Sequence, residues 1–422
     1  MAFVLSSILL KSPEFSMFIA AAAGVLTGMI MKVGDLDIVR AITVLIEGLF
    51  TNFDLAIQFI CASIFVNVYS NSGSLNFLTR KIVKLDNKWI IMVFMAIFMM
   101  IPGALTGAGS VSIFVMGALV ATVLKYMGLN EKKTTAFVFM FAILSAACPP
   151  INLWTMMMTA QANMPYVGFS KLLLFPIIIV SVFSIIYLGW GAKKESKERI
   201  LAELPEDPEG MNWFRVILPF AVLLGLFLLS LYKPFDIPVL GVPLMFVIST
   251  VVAILCNPQK IGAKAYGKLI NDTFEQVFSL VATVISVGAL VNTLAATGVK
   301  GLIGITFITM PIVLMYILLL IVGPFAQGCM SYGSAILIAT PLIFMMNTRG
   351  MDTTIVAAAL SVIFPIGDCL PPSRIVGRVA IETTGFKGTY TQFLKSILLP
   401  CALLGIIGLV MFINPSMFKW LK

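Results

Sequence analysis

Three ionisable residues crowd one apolar stretch of the 422-residue chain: Asp368, Arg374 and Arg378, around the double proline of IGDCLPPSRIVGR. Charges inside a membrane-spanning segment are expensive and mark function. The two arginines stand four apart, on one helical face, and the planar guanidinium fork suits a carboxylate. The chemistry expected is an anionic substrate held by Arg374 and Arg378, with Asp368 binding a cation, a proton or one arginine. The plainer alternative is an internal Asp–Arg pair that steadies the helix, with Arg378 turned toward the cytoplasmic interface.

This double proline has a twin, in SAACPPINLW at 145–154. Consecutive prolines remove two amide donors and clash with the preceding turn, so neither helix continues unbroken. At membrane depth such breaks are tolerated where they line a cavity or face protein, and their free carbonyls and amides are ready ligands for ions. Each break follows a run rich in small polar residues. Thr106, Gly107, Gly109, Ser110 and Ser112 form the first, and Gln327, Gly328, Ser331, Gly333 and Ser334 the second. Together with the Pro149 and Pro371 carbonyls and Asp368, they are expected to make two oxygen cages for a hard cation, Na+ above all. Asn152 and Ser373, just past the breaks, are expected on the substrate side, and Thr155 is placed to extend the first cage. Close helix packing through small residues is the competing reading.

Other chemistries are excluded by composition. The chain has no histidine, which removes histidine-based zinc sites, catalytic triads and proton relays. Its six cysteines stand singly, without CxxC spacing, and read as small buried hydrophobes. The net charge of +9 is scattered over short loops, unlike a nucleic-acid-binding face. No cofactor is expected beyond the coupling ion.

These residues need positioning elements, and the composition says where. Apolar residues make up 60% of the chain and charged ones 11%; a soluble protein so built would expose large apolar patches. The expectation is an all-α polytopic membrane protein lying in a lipid bilayer. Runs long enough to span, about 20 residues, occur at 16–32, 41–70, 89–125, 133–163, 171–190, 213–232, 239–256, 270–297, 311–346, 353–384 and 393–414. The runs 89–125 and 311–346 are too long for one span. Broken at 106–112 and 326–334, they read as re-entrant hairpins or as paired spans. The segment MAFVLSSILLKSPEF lacks signal-peptide features and reads as interfacial. With the N-terminus inside, 18 of the 28 basic residues fall on the cytoplasmic side and 8 outside, which fits the positive-inside rule and places the C-terminus outside. Glu47, Asp272 and Glu275 read as marking arms in the interface; Asp54 lies deeper.

The chain also repeats itself. VNVYSNSG at 66–73 returns as VNTLAATG at 291–298, Gly103 as Gly323, and the two Pro-Pro pairs stand 222 residues apart. Each copy holds an even number of crossings, so the unpaired span 213–232 inverts the second. This gives a first repeat (1–190), a polar linker with connecting span (191–237) and a second, inverted repeat (238–422), a common build of secondary transporters.

In this order of small-residue hairpin, Pro-Pro-broken span and inverted copy, carried by TGAGSVS, ACPPIN, the second hairpin and LPPS, the chain resembles the ion transporter superfamily. Within it, the chain is most similar to the large membrane (permease) subunit of tripartite ATP-independent periplasmic (TRAP) transporters. The resemblance implies an elevator-type transporter performing sodium symport of a small organic anion across a bacterial or archaeal inner membrane. It also implies a small four-span membrane subunit and an extracytoplasmic substrate-binding protein as partners. Pro-Pro-Ile stands where the family commonly has Pro-Pro-Ser, and a stand-alone proton- or sodium-coupled carboxylate carrier of the same superfamily is the alternative. From another class, Phe53-Asp54 and Ile366-Gly367-Asp368 resemble the paired aspartates of aspartyl intramembrane proteases, although Pro365 stands where that motif needs glycine.

Overall fold

Helices apolar on every face have no solvated side, and they pack in lipid or at the centre of a bundle. The computed structural model is accordingly all α. It describes residues 2–10, 12–33, 36–85, 87–192, 201–202, 204–206, 208–232, 241–259, 261–371 and 374–422. Among these, seven helices are long and apolar enough to cross a membrane.

The helices recur at nearly constant spacing. Two 34-residue stretches, Ile38–Asn71 and Ala263–Ala296, begin 225 positions apart. The 19-residue helices Lys88–Thr106 and Ile312–Met330 begin 224 apart. Each leads through a glycine-containing turn into a short π-helical segment, Ile113–Gly117 and Ala335–Ala339, 222 apart, and then a nine-residue helix, Ala118–Tyr126 and Thr340–Thr348. Next come the interrupted helices, Glu131–Ala147 with Leu153–Gln161, and Thr353–Cys369 with Ile375–Thr384. Phe169–Gly189 and Tyr390–Ile413 follow them. The helix Trp213–Tyr232 stands between the two series.

The helices sort into two groups. In one, Pro13–Ile30 and Ile38–Asn71 pack against Ala263–Ala296, Val242–Cys256 packs on Phe53–Asn71, and Trp213–Tyr232 packs on Val242–Cys256. A straight 34-residue helix is about 51 Å long against about 30 Å of hydrocarbon. Its overhang accounts for the exposure of Asp272 and Glu275; Glu47, on the matching stretch, is exposed as well. The long elements approach closely at glycine: a Cβ on Gly288 would stand 2.2 Å from the Gly48 carbonyl oxygen. Beside this crossing the first stretch breaks at buried Asn52, whose amide donates to the Val284 carbonyl across the interface. The other group packs the two hairpins and both interrupted helices with Phe169–Gly189 and Tyr390–Ile413.

The ends of the bundle have distinct chemistry. Arg80 donates to the carbonyls of Leu201, Leu204 and Pro205, Lys88 to Ala192, Lys125 to Thr384 and Lys133 to Trp190. All four belong to the side expected to be cytoplasmic, and they meet carbonyls near the ends of helices, where cations are favoured. Lys300 meets Gln161, and Lys422 pairs with Asp352 at 2.6 Å. Lys11, Lys193, Lys194, Lys197, Arg199, Lys233 and Lys260, also used in the orientation count, lie outside the described residues.

Candidate functional site

At the first break, helix Glu131–Ala147 ends before Pro149, and its stranded backbone groups find partners at once. Asn152 Nδ2 donates to the Ala147 carbonyl at 2.8 Å, while its Oδ1 accepts the Thr155 amide at 3.0 Å and caps the next helix. The Ile151 amide donates to the Ala104 carbonyl of the first hairpin. The Tyr166 hydroxyl donates to the Pro150 carbonyl and accepts the Asn152 amide. Asn152, expected on the substrate side, is fully buried and splices the two half-helices.

The first hairpin turns against this break. Gly107, at φ +73, sits so close to Leu153 that a Cβ would stand 2.6 Å from its side chain. A Cβ on Gly109 would come within 2.7 Å of the Ala142 carbonyl oxygen. Thr106 donates back to the Pro102 carbonyl and accepts the Ala108 amide. Ser112 meets the Ser145 hydroxyl at 2.9 Å, and Ser110 is buried beside them. The small residues are therefore engaged in close packing as well as in lining the tip.

The second tip is built around Gln327. Its Oε1 accepts the Trp154 indole and the Ser334 hydroxyl, both at 2.8 Å, and its Nε2 donates to Asp368 at 2.9 Å. An indole N–H only donates, which fixes the amide's orientation. Ser331, at φ +49, closes the turn and accepts from the Ser334 amide and hydroxyl. Gly333 lies against Val287 and Met17 of the other helix group. Between them, Tyr332 donates to the Gly107 carbonyl at 3.1 Å, and its ring lies 4.9 Å from that of Trp154. The two hairpin tips thus touch, and both reach the helix that follows the first break.

At the second break, Thr353–Ile363 tightens into a 3-10 turn, Phe364–Cys369. Gly367 is pressed onto the second hairpin, where a Cβ would stand 2.0 Å from the Pro324 carbonyl oxygen. The carbonyl oxygens of Gly367, Leu370 and Pro371 converge within 3.2 Å of the point a Gly328 Cβ would take. Arg374, at φ +51, begins the next helix; its guanidinium lies 4.7 Å over the Tyr390 ring, and its buried Nε has no partner among the described residues.

The expected charge cluster does not close as an ion pair. Asp368 is bonded to Gln327, and among the described residues neither Arg374 nor Arg378 forms an ion pair with it. Arg378 is exposed, so of the two arginines it is Arg374 that approaches the break. Pro372 and Ser373 lie outside the described residues. Asp54 is exposed on the first turn of its helix, apart from this network. No three His, Cys, Asp or Glu side chains among the described residues converge on a metal position. Sequence reasoning missed Trp154, Tyr166, Tyr332 and Tyr390, which join the pieces. Their one local signal is aromatic residues carrying a donor placed beside breaks and tips.

An open cleft of about 520 Å³ separates the two helix groups, lined by Asn67, Asp272, Thr273 and Gln276 on one side and Phe114 and Val115 of the first hairpin on the other. Within the first of these walls Asn67 donates to Thr273 and Gln276, at 3.0 and 2.9 Å.

Two solved structures share this fold. The YdaH transporter of Alcanivorax borkumensis, of unusual topology, is matched at a TM-score of 0.63 and 14% identity over 92% of this chain and 91% of that one. MtrF of Neisseria gonorrhoeae, from a class of antimetabolite efflux pumps, is matched at a TM-score of 0.65 and 12% identity over 96% and 94%. No family model and no curated protein sequence matches the chain.

Proposed function

We propose that the chain is a secondary carrier of a small organic anion, coupled to Na+, with two inverted repeats and an elevator motion of the hairpin group against the group around Ala263–Ala296. The observation that carries this reading is the meeting of two hairpin tips, through Tyr332 and Gly107, at two interrupted helices. Paired breaks of this kind supply carbonyls for a cation and amides for an anion. The similar lengths of matching elements at 221 to 225 residues support the duplication, and the Trp213–Tyr232 helix supplies the odd crossing that inverts the second copy. Each tip stands level with a break, beyond which a helix of nine or ten residues continues, as expected of re-entrant hairpins.

The roles follow from chemistry. The Gly367, Leu370 and Pro371 carbonyls pack against Gly328 of the second tip, so oxygen atoms of the kind a hard cation needs stand at this break. Asp368 adds a carboxylate to that end of the network. Arg374, whose buried Nε has no partner among the described residues, supplies the anion-directed charge. The cleft between the helix groups is the aqueous approach, and the carbonyl-capping lysines mark the cytoplasmic side, with the N-terminus inside.

The first reading is a chain that works alone, and the likeness to two solved structures, which share its fold over nearly their full length, is compatible with it. The order of motifs favours the second reading, a TRAP-type large subunit. Purified protein in proteoliposomes, offered radiolabelled carboxylates and organic-acid antimetabolites, separates them. Sodium-driven transport by the chain alone is expected. Transport that follows a proton gradient and ignores sodium overturns the coupling, and an absolute need for added partner proteins restores the TRAP reading.

A further inference from the structure

Arg374 is held at the second break by a ring instead of a carboxylate. Its guanidinium lies 4.7 Å over Tyr390, the first residue of Tyr390–Ile413, and among the described residues it forms no ion pair. The Tyr390 hydroxyl donates to the Cys369 carbonyl at 2.7 Å. A 3-10 turn continued through Cys369 would pair that carbonyl with the amide of residue 372, which is a proline and has none. Tyr390 thus satisfies an acceptor that the break creates. Behind it, the ring meets Phe393 edge-on at 5.4 Å, and Phe393 meets Phe139 at 5.3 Å, both fully buried. Phe139 belongs to Glu131–Ala147, the helix that ends at the first break. The helix start that carries Tyr390 is itself fixed by a capping box between Thr389 and Gln392.

We propose that Tyr390 is a positioning residue of the anion site: its hydroxyl fixes the ring to the second break, and the ring's face aims the Arg374 guanidinium at the substrate anion. This rests on the anion-directed role given to Arg374 above. A ring holds a cation through its quadrupole without neutralising it. A carboxylate in the same place would consume the charge and the planar fork of N–H donors that a substrate carboxylate needs. Tyrosine suits the task because two side-chain torsions place both the ring and the hydroxyl, which leaves little freedom to lose. The buried Phe393 and Phe139 back the ring, so the direction of the arginine is set by packing that reaches the helix of the first break.

The test labels the purified chain with phenylglyoxal, which attacks guanidinium groups, and follows Arg374 by peptide mass spectrometry. Sodium acetate, succinate and benzoate serve as protecting anions, with sodium chloride as the reference. In Tyr390→Leu, Arg374 is expected to react at least about 3-fold faster, and the carboxylate concentration that halves its rate should rise by about 3- to 30-fold, the range of a cation–π contact. Tyr390→Phe, which keeps the ring and loses the hydroxyl, should shift both quantities the same way by less. Gly377→Ala should do so with both side chains intact, because its Cβ would press on the Tyr390 hydroxyl. Exposed Arg349, at the end of the second hairpin, should keep its rate in every variant. Unchanged rates and unchanged protection at Arg374 overturn the proposal, and so does an equal acceleration at Arg349, the mark of a loosened fold. If none of the three carboxylates protects Arg374 in the native chain, the anion role of Arg374 fails, and the proposal with it. Protection that is present but indifferent to Tyr390 leaves that role standing and refutes the tyrosine alone.

Discussion

Asn152 shows how a residue in a suggestive place can serve the backbone first. One side chain satisfies the Ala147 carbonyl before the first break and the Thr155 amide after it. Asn152→Leu should cost about 2–4 kcal/mol, from a lost cap and an orphaned buried carbonyl, measured by thermal unfolding in detergent. Gln327 holds Trp154, Ser334 and Asp368 together, so Gln327→Leu should abolish transport in proteoliposomes; retained sodium-coupled uptake would show the network to be dispensable. Asp352 offers a titratable test outside the spans. Partial burial raises its pKa, but Lys422 and the amides of Ile355 and Thr354 outweigh this and hold it below the ordinary aspartate value. A depressed folded pKa means stabilisation that is present above the unfolded value and lost as the pH falls through the folded one. Asp352→Asn keeps the helix cap and loses the ion pair. The wild type should therefore exceed it by a fraction of a kcal/mol at neutral pH, about the value of an exposed pair. Thermal scans from neutral to acidic pH should show that difference vanish. At this scale the sequence disclosed which residue types were present, but not which hydroxyls and amides were already spent on neighbouring backbone.

Elements meet through glycine wherever helices must nearly touch. Gly367 opposes the Pro324 carbonyl and Gly288 the Gly48 carbonyl, each closer to a virtual Cβ than any side chain tolerates. Since backbone rather than a flexible side-chain end blocks the way, Gly367→Ala and Gly288→Ala should each cost about 1–3 kcal/mol by overpacking, seen as a lower thermal midpoint. Gly298→Ala, whose added Cβ meets open space, carries instead the cost of its φ of +74. The elements themselves were legible: Trp213–Tyr232 coincides with the span read at 213–232, and the Pro-Pro pairs end helices where proline chemistry requires. The π-helical segments were not legible. Their 222-residue spacing becomes visible only in three dimensions.

The whole molecule consists of two helix groups, and the elevator proposal requires them to slide. Gly333 on the second hairpin lies against Val287 of the other group, its virtual Cβ 3.1 Å from that side chain. Joining Val287→Cys to Gly333→Cys by an oxidative cross-link should arrest transport, with recovery on reduction. Undiminished transport by the cross-linked protein would refute relative motion at that contact. The sequence by itself determined an all-α, multi-spanning architecture, because apolar period and length leave helices no other solvent, and it set the breaks, because proline has no amide to give. It also carries segments that return in the same order at similar spacing, which is the basis of the proposed repeat. Only the tertiary structure decided that Tyr332 bridges to Gly107, that Asp368 answers to Gln327 rather than to an arginine, and that Arg374 reaches the break while Arg378 faces outward. Those contacts join residues as much as 225 positions apart, and a hydrogen bond at such distance is fixed by how helices pack, which no local pattern of residues encodes.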